Sequence, residues 1–112
     1  MNSSAQFSLT RRRAAILFAD VANYSRMMGR DELNTALAVK ARISIFRDML
    51  GDHSGELVDI AGDGVFLVFE QAVDAVSFAV AIQNTLREQN ENIDPDKQVW
   101  FRIGINLGEI LV

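Results

Sequence analysis

A chain of 112 residues, 49% hydrophobic and 23% charged, is long enough for one globular domain and too short for two. It has no cysteine, which excludes disulfides, thiol nucleophiles and zinc–thiolate sites, and no apolar run nears the roughly 18 residues needed to cross a bilayer; a soluble, cytoplasmic domain is expected. The net charge of −4, from 11 Lys and Arg against 15 Asp and Glu, argues against a nucleic-acid partner, because a counterion-release grip requires an excess of cations.

Residues 1–12 are polar and read as a flexible lead-in to a domain spanning 13–112, with the only basic cluster, Arg11 to Arg13, as its solvated approach. Ala14 to Phe18 form a continuous apolar run that ends in Ala19 and Asp20, the pattern of a buried strand. A short helical turn is predicted near Asn23, since Tyr24, Met27 and Met28 recur three and four apart; these methionines, with Met49, read as core filler. From Asp31 to Leu50 the residues Leu33, Ala36, Leu37, Ala41, Ile45 and Met49 share a helical face, with Asp31 as cap and Gly51 as terminator.

Asp52 to Gly55 is a turn, in which the sole histidine, His53, is expected to be solvated. Glu56 to Ile60 and Val65 to Phe69 then read as a hairpin with Gly62-Asp63-Gly64 at its tip. A second long helix is predicted over Gln71 to Gln89, its buried face drawn from Val73, Val76, Phe78, Ala79, Ile82 and Leu86. The polar stretch Asn90 to Lys97, with the only proline, ends it. In Val99 to Asn106 the residues Val99, Phe101, Ile103 and Ile105 alternate with Trp100, Arg102, Gly104 and Asn106, as in a strand buried on one face. The order predicts an α+β, ferredoxin-like βαββαβ core, with an antiparallel sheet carrying two helices on one face. Trp100 is expected on the sheet's open face.

Two acids end apolar strands where the backbone must turn, Asp20 after Ile16 to Ala19 and Asp63 within the hairpin tip. With the first strand expected beside the strand that follows the first helix, the tip approaches the exit of strand one and the carboxylates meet. Two bare carboxylates repel, whereas a hard dication such as Mg²⁺ between them reverses the balance. As isolated residues, Asp63 equally suits a turn and Asp20 a helix cap.

The strings Phe18-Ala19-Asp20-Val21-Ala22-Asn23-Tyr24-Ser25, Gly62-Asp63-Gly64 and Phe101-Arg102-Ile103-Gly104-Ile105-Asn106-Leu107-Gly108-Glu109, in that order, resemble the class III adenylate/guanylate cyclases of bacterial type. The resemblance runs from about Arg13 to the last residue. It implies a lyase converting ATP or GTP to the 3′,5′-cyclic monophosphate and pyrophosphate in cyclic-nucleotide signalling, with two ions, Mg²⁺ or Mn²⁺, held by Asp20 and Asp63 with Val21 beside them. It also implies a triphosphate site from the backbone of Val21, Ala22, Asn23, Tyr24 and Ser25, the Ser25 hydroxyl and the Arg102 guanidinium. Asp59, four residues before the hairpin acid, matches the family's base-reading position, and a carboxylate there suits the N1-H and N2-H₂ donors of guanine.

The family pattern continues past the segment that ends here at Val112, into a second base-reading residue and the Asn and Arg of the transition state. The resemblance therefore implies the N-terminal portion of a catalytic domain. Family domains pair head to tail, so a homodimer of this chain would hold metal half-sites, and a full-length relative would complete them. A non-catalytic, dimerising regulatory module is the alternative. A diguanylate cyclase-like palm shares the strand order, but Gly62-Asp63-Gly64 lacks that family's Gly-Gly-acid-Glu-Phe signature.

Overall fold

The computed structural model describes residues 10–111. Strand β1 (Arg11–Val21) is followed by helices α1 (Tyr24–Arg30) and α2 (Glu32–Leu50), the hairpin β2 (Gly55–Ala61) and β3 (Gly64–Phe69), helix α3 (Ala72–Asn90) and strand β4 (Phe101–Leu111). The strands form one antiparallel sheet in the order β2-β3-β1-β4. The expected α+β, ferredoxin-like core is therefore present, with α1 as a third, short helix. Among the described residues no helix is long and apolar enough to cross a membrane.

One expected neighbour is wrong. β1 lies between β3 and β4, and the strand after the first long helix, β2, is at the edge. The crossover from β1 to β2 leaves room for one strand between them, and β3, paired with β2 through the tight turn at Gly62-Asp63, fills it. The hairpin tip still reaches the end of β1, because β3 itself starts there.

Alternation along β1 puts Ala15, Leu17, Ala19 and Val21 on the buried face, joined by Val65, Leu67 and Phe69 of β3. Both long helices close this face. Phe46 of α2 lies 6.0 Å from Phe78 of α3 and 5.0 Å from Phe101 of β4, ring centre to ring centre, and Phe78 lies 5.6 Å from Phe69. Such tilted pairs add about 0.5–1.5 kcal/mol each beyond the burial of their area.

The buried face of α2 differs from expectation. Thr35, Val39, Ile43, Phe46 and Leu50 face the core, while Leu33 and Leu37 are 69% and 57% exposed and Ala36 and Ala41 are also outside. The helix carries two apolar stripes, and the one bearing the large Phe46 ring is buried. α3 likewise buries Ala75, Phe78, Ile82 and Leu86 and leaves Val73 and Val76 exposed.

The boundaries also shift in places. Arg11 and Arg12, assigned to the lead-in, belong to β1, where Arg11 pairs with Glu109 and Arg12 with Glu70; the rest of the lead-in up to residue 9 is outside the described residues. Asp31 caps α2 as expected, accepting from the Asn34 N–H at 3.2 Å. Hydrogen bonding to Asn34 holds the Asp31 carboxyl below its ordinary range. Gly51 stays right-handed and continues into a 3₁₀ turn, Gly51–His53; the left-handed residue is Ser54, at φ 58°. His53 is half-buried rather than solvated. Its Nδ1 lies 3.1 Å from the Met49 carbonyl and its ring meets Phe78 edge-on. Met27 and Met49 pack against the core, and Met28 is half-buried beside them in sequence. β4 begins two residues later than predicted, at Phe101, and exposes Ile105.

A buried polar clasp sets the path into β4. Asn90, at the end of α3, donates from Nδ2 to the Val99 carbonyl and accepts at Oδ1 from the Val99 N–H, both at 2.9 Å. Val99 is thus held as if by a neighbouring strand, with both of its buried backbone groups satisfied. Asn90→Ala leaves both unpaired and should lower stability by at least about 2 kcal/mol. Gly55→Ala should lower it by about 1–3 kcal/mol, because a Cβ there would lie 2.5 Å from the buried Phe69 ring and 2.6 Å from Leu50. Urea unfolding of each variant against the parent chain checks both values.

Candidate active site at the end of strand one

The site is built where β1 stops. Ala22 donates its N–H to the Trp100 carbonyl at 2.7 Å, and the chain then turns through Asn23 in the left-handed region, φ 61°, before α1 begins. Asparagine tolerates this conformation better than most residues. Opposite, the β2–β3 turn uses Gly62 at φ 60°, where an L side chain would be strained, and presents Asp63.

Asp63 reaches across to β1. Its Oδ2 accepts from the Val21 N–H at 2.9 Å, a charge-assisted bond spanning 42 residues of sequence in a part-buried setting. Asp20, one residue earlier, points to the other side of the strand from buried Ala19 and Val21, onto the open face. There it meets Arg102, its direct partner across the β1–β4 ladder, whose Nε donates to Asp20 Oδ1 at 2.9 Å. The hydrogen bond and charge of Asp20 raise the Arg102 guanidinium further above its ordinary range, and the charge of Asp63 adds to the effect. Both acids therefore act on Arg102 at this end of the sheet.

One oxygen of each carboxylate is committed, Oδ2 of Asp63 and Oδ1 of Asp20. The others make no hydrogen bond among the described residues. No cluster of three or more His, Cys, Asp or Glu occurs there either. The donor set is thus two carboxylates with main-chain carbonyls nearby, all hard oxygen and too few to enclose an ion. That chemistry fits Mg²⁺ or Mn²⁺, which keep several waters or phosphate oxygens, and does not fit zinc.

The other expected residues are distributed as follows. Of the N–H groups from Val21 to Ser25, those of Val21 and Ala22 are already bonded, to Asp63 and to Trp100. Those of Tyr24 and Ser25 belong to the first turn of α1, where no intrahelical acceptor exists. Ser25 is exposed, whereas Tyr24 packs against the core. Asp59 follows a bulge in β2 and lies exposed opposite Phe66. Phe66 stacks on Phe18 at 6.5 Å, so the open face carries an aromatic floor between Asp59 and β4.

Three supporting contacts were not foreseen from the sequence. Gly104 faces Phe18 in register, and a Cβ there would lie 2.6 Å from the ring, so glycine lets Phe18 lie across β4. The Trp100 carbonyl fixes the exit of β1, and Gln83 Nε2 donates to the Phe101 carbonyl at 3.0 Å, next to Arg102. The Trp100 side chain is exposed and donates to Gln98.

Residues 9–112 match the adenylate and guanylate cyclase catalytic domain family. The chain is 40% identical over 109 residues to Putative adenylate cyclase 3 of Rhizobium meliloti (strain 1021), covering 96% of this chain and 19% of that protein. Its fold matches an adenylate/guanylate cyclase/hydrolase from Silicibacter pomeroyi with a TM-score of 0.83 and 33% identity, over 94% of this chain and 62% of the other. It also matches a bacterial light-regulated adenylyl cyclase with a TM-score of 0.84 and 20% identity, over 93% of this chain and 32% of that one. The chain thus spans about a fifth of the curated relative and under two thirds of the Silicibacter structure. With three motifs in order, the sheet topology and the family match in agreement, the chain belongs to the adenylate and guanylate cyclase catalytic-domain family.

Proposed function

We propose that this chain supplies the metal- and triphosphate-holding half of a nucleotide cyclase site, acting on ATP or GTP. The observation that carries the reading is the Asp63–Val21 hydrogen bond, which brings the hairpin acid to the residue next to Asp20. In the reaction, the ribose 3′-oxygen loses its proton and attacks the α-phosphorus in line; the bond from that phosphorus to the bridging oxygen breaks, and pyrophosphate leaves with the electron pair. Two divalent ions, when bound, supply activation of the hydroxyl and neutralisation of the triphosphate.

The residues of the chain divide the remaining work. Asp20 and Asp63, with the Val21 carbonyl, would hold the ions through their carboxylate oxygens. The chain from Ala22 to Ser25 positions the phosphates, the N–H groups of Asn23, Tyr24 and Ser25 and the Ser25 hydroxyl acting as donors. Arg102 contributes its guanidinium fork to the phosphate oxygens. Asp59 accepts hydrogen bonds from the edge of the purine, beside the Phe18–Phe66 floor. A second cyclase domain covers the open face and contributes the groups that stabilise the transition state, each of which is worth about 10²- to 10³-fold in rate.

Incubation with ATP or GTP and Mn²⁺, with nucleotide binding and cyclic product assayed separately, is the direct test. Metal-dependent binding is expected. When the chain is mixed with a full-length relative whose own metal acids are replaced, cyclic product should reappear; steady inhibition would instead identify a non-catalytic pairing module. Asp20→Ala and Asp63→Ala should each abolish metal-dependent nucleotide binding, and unchanged binding in both would refute the site. The two variants should also separate in stability. Asp63→Ala frees the part-buried Val21 amide and should cost about 1–3 kcal/mol in urea unfolding, while Asp20→Ala breaks only a solvent-screened pair and should leave the midpoint nearly unchanged.

A further inference from the structure

Arg102 is engaged by Asp20: its Nε donates to Asp20 Oδ1 at 2.9 Å, and both side chains are substantially solvent-exposed. The Arg102 side chain is 69% exposed, so it can swing away without leaving a cavity. Asp20 and Asp63 together carry two negative charges at one end of the sheet, and the Arg102 guanidinium is a cation that offsets them. We infer that Arg102 is a place-holding counterion for Asp20, occupying the carboxylate that the ion requires and released to the triphosphate only when a dication takes over that carboxylate.

The inference rests on the metal-binding reading above and extends it to the order of events. A doubly charged ion between two carboxylates attracts each about twice as strongly as a guanidinium at equal distance. An exposed ion pair is weak enough to be displaced. The exchange then does two things at once: Asp20 gains its ion, and Arg102 becomes free for an anion beside it. Metal alone should therefore bind first, and triphosphate should find Arg102 available only afterwards.

The consequence is opposite to that of a simple supporting residue, because removing Arg102 should strengthen binding of the metal by itself. The test is Mn²⁺ titration of the chain without nucleotide, read from the free-ion electron paramagnetic resonance signal. R102M should bind Mn²⁺ about two- to five-fold more tightly than the parent, the range set by the worth of an exposed pair. R26M removes the same unit charge from the first turns of α1, near the same end of β1, without touching Asp20, and should bind nearly as the parent does.

R102M binding no more tightly than the parent, or R26M gaining as much as R102M, overturns the exchange. Loss of Mn²⁺ binding in D20N and D63N keeps the metal site standing in either case, whereas retention of binding in both overturns the site itself and the exchange with it. A second measurement needs no variant. The Arg102 Nε–H resonance of the parent chain, followed by NMR, should move from its ion-paired position as Mg²⁺ is added; a resonance that saturating Mg²⁺ leaves in place also overturns the exchange.

Discussion

The carboxylate of Asp63 and the amide of Val21 join two parts of the chain just beyond the last paired residues of β1 and β3. β1 and β3 are paired along Ala15 to Ala19, but their ladder ends there; β1 runs on beside β4 to Val21, while β3 begins at the turn. One charge-assisted hydrogen bond at 2.9 Å closes this open end. Gly62 makes the turn tight enough for Asp63 to reach, and Ala22, held by the Trp100 carbonyl, keeps the Val21 amide presented. The placement of both acids follows from these contacts.

Much of the architecture was legible in the sequence because strands and turns have local signatures. The alternation in β1, the Gly-Asp-Gly tip and the Asp31 cap each depend on residues within a few positions of one another. The helix faces were not legible in the same way. In α2 the choice between the stripe of Leu33 and Leu37 and the stripe of Val39, Ile43 and Phe46 is made by rings contributed from α3 and β4, so no window of sequence contains it. The expected neighbour of β1 was missed for the same reason, being set by which strand fills a gap rather than by any strand's own composition.

The candidate site was legible as a set of residue types and less so as a set of contacts. Asp20, Asp63 and Arg102 stand in ordered motifs, and the fold gathers them at one end of the sheet. That Arg102 is engaged by Asp20 follows only from the β1–β4 register, which places the two residues opposite each other across 82 positions of sequence. Asn90 had a readable signal that composition hid. It continues the four-residue rhythm of Phe78, Ile82 and Leu86, so a polar residue in that row marks a buried side chain with a partner to satisfy.

The Asn90 clasp has a bearing on chemistry some distance from it. A strand's two faces interchange with every single-residue slip, so the frame in which β4 enters the sheet decides whether an aromatic ring or a guanidinium looks outward. By gripping Val99 at both its donor and its acceptor, the last turn of α3 acts as a gauge block for that frame: two residues on, Phe101 is seated inside, and the next side chain emerges opposite Asp20. An uncharged amide at a helix end thereby sets the address of the charge on which the open face relies.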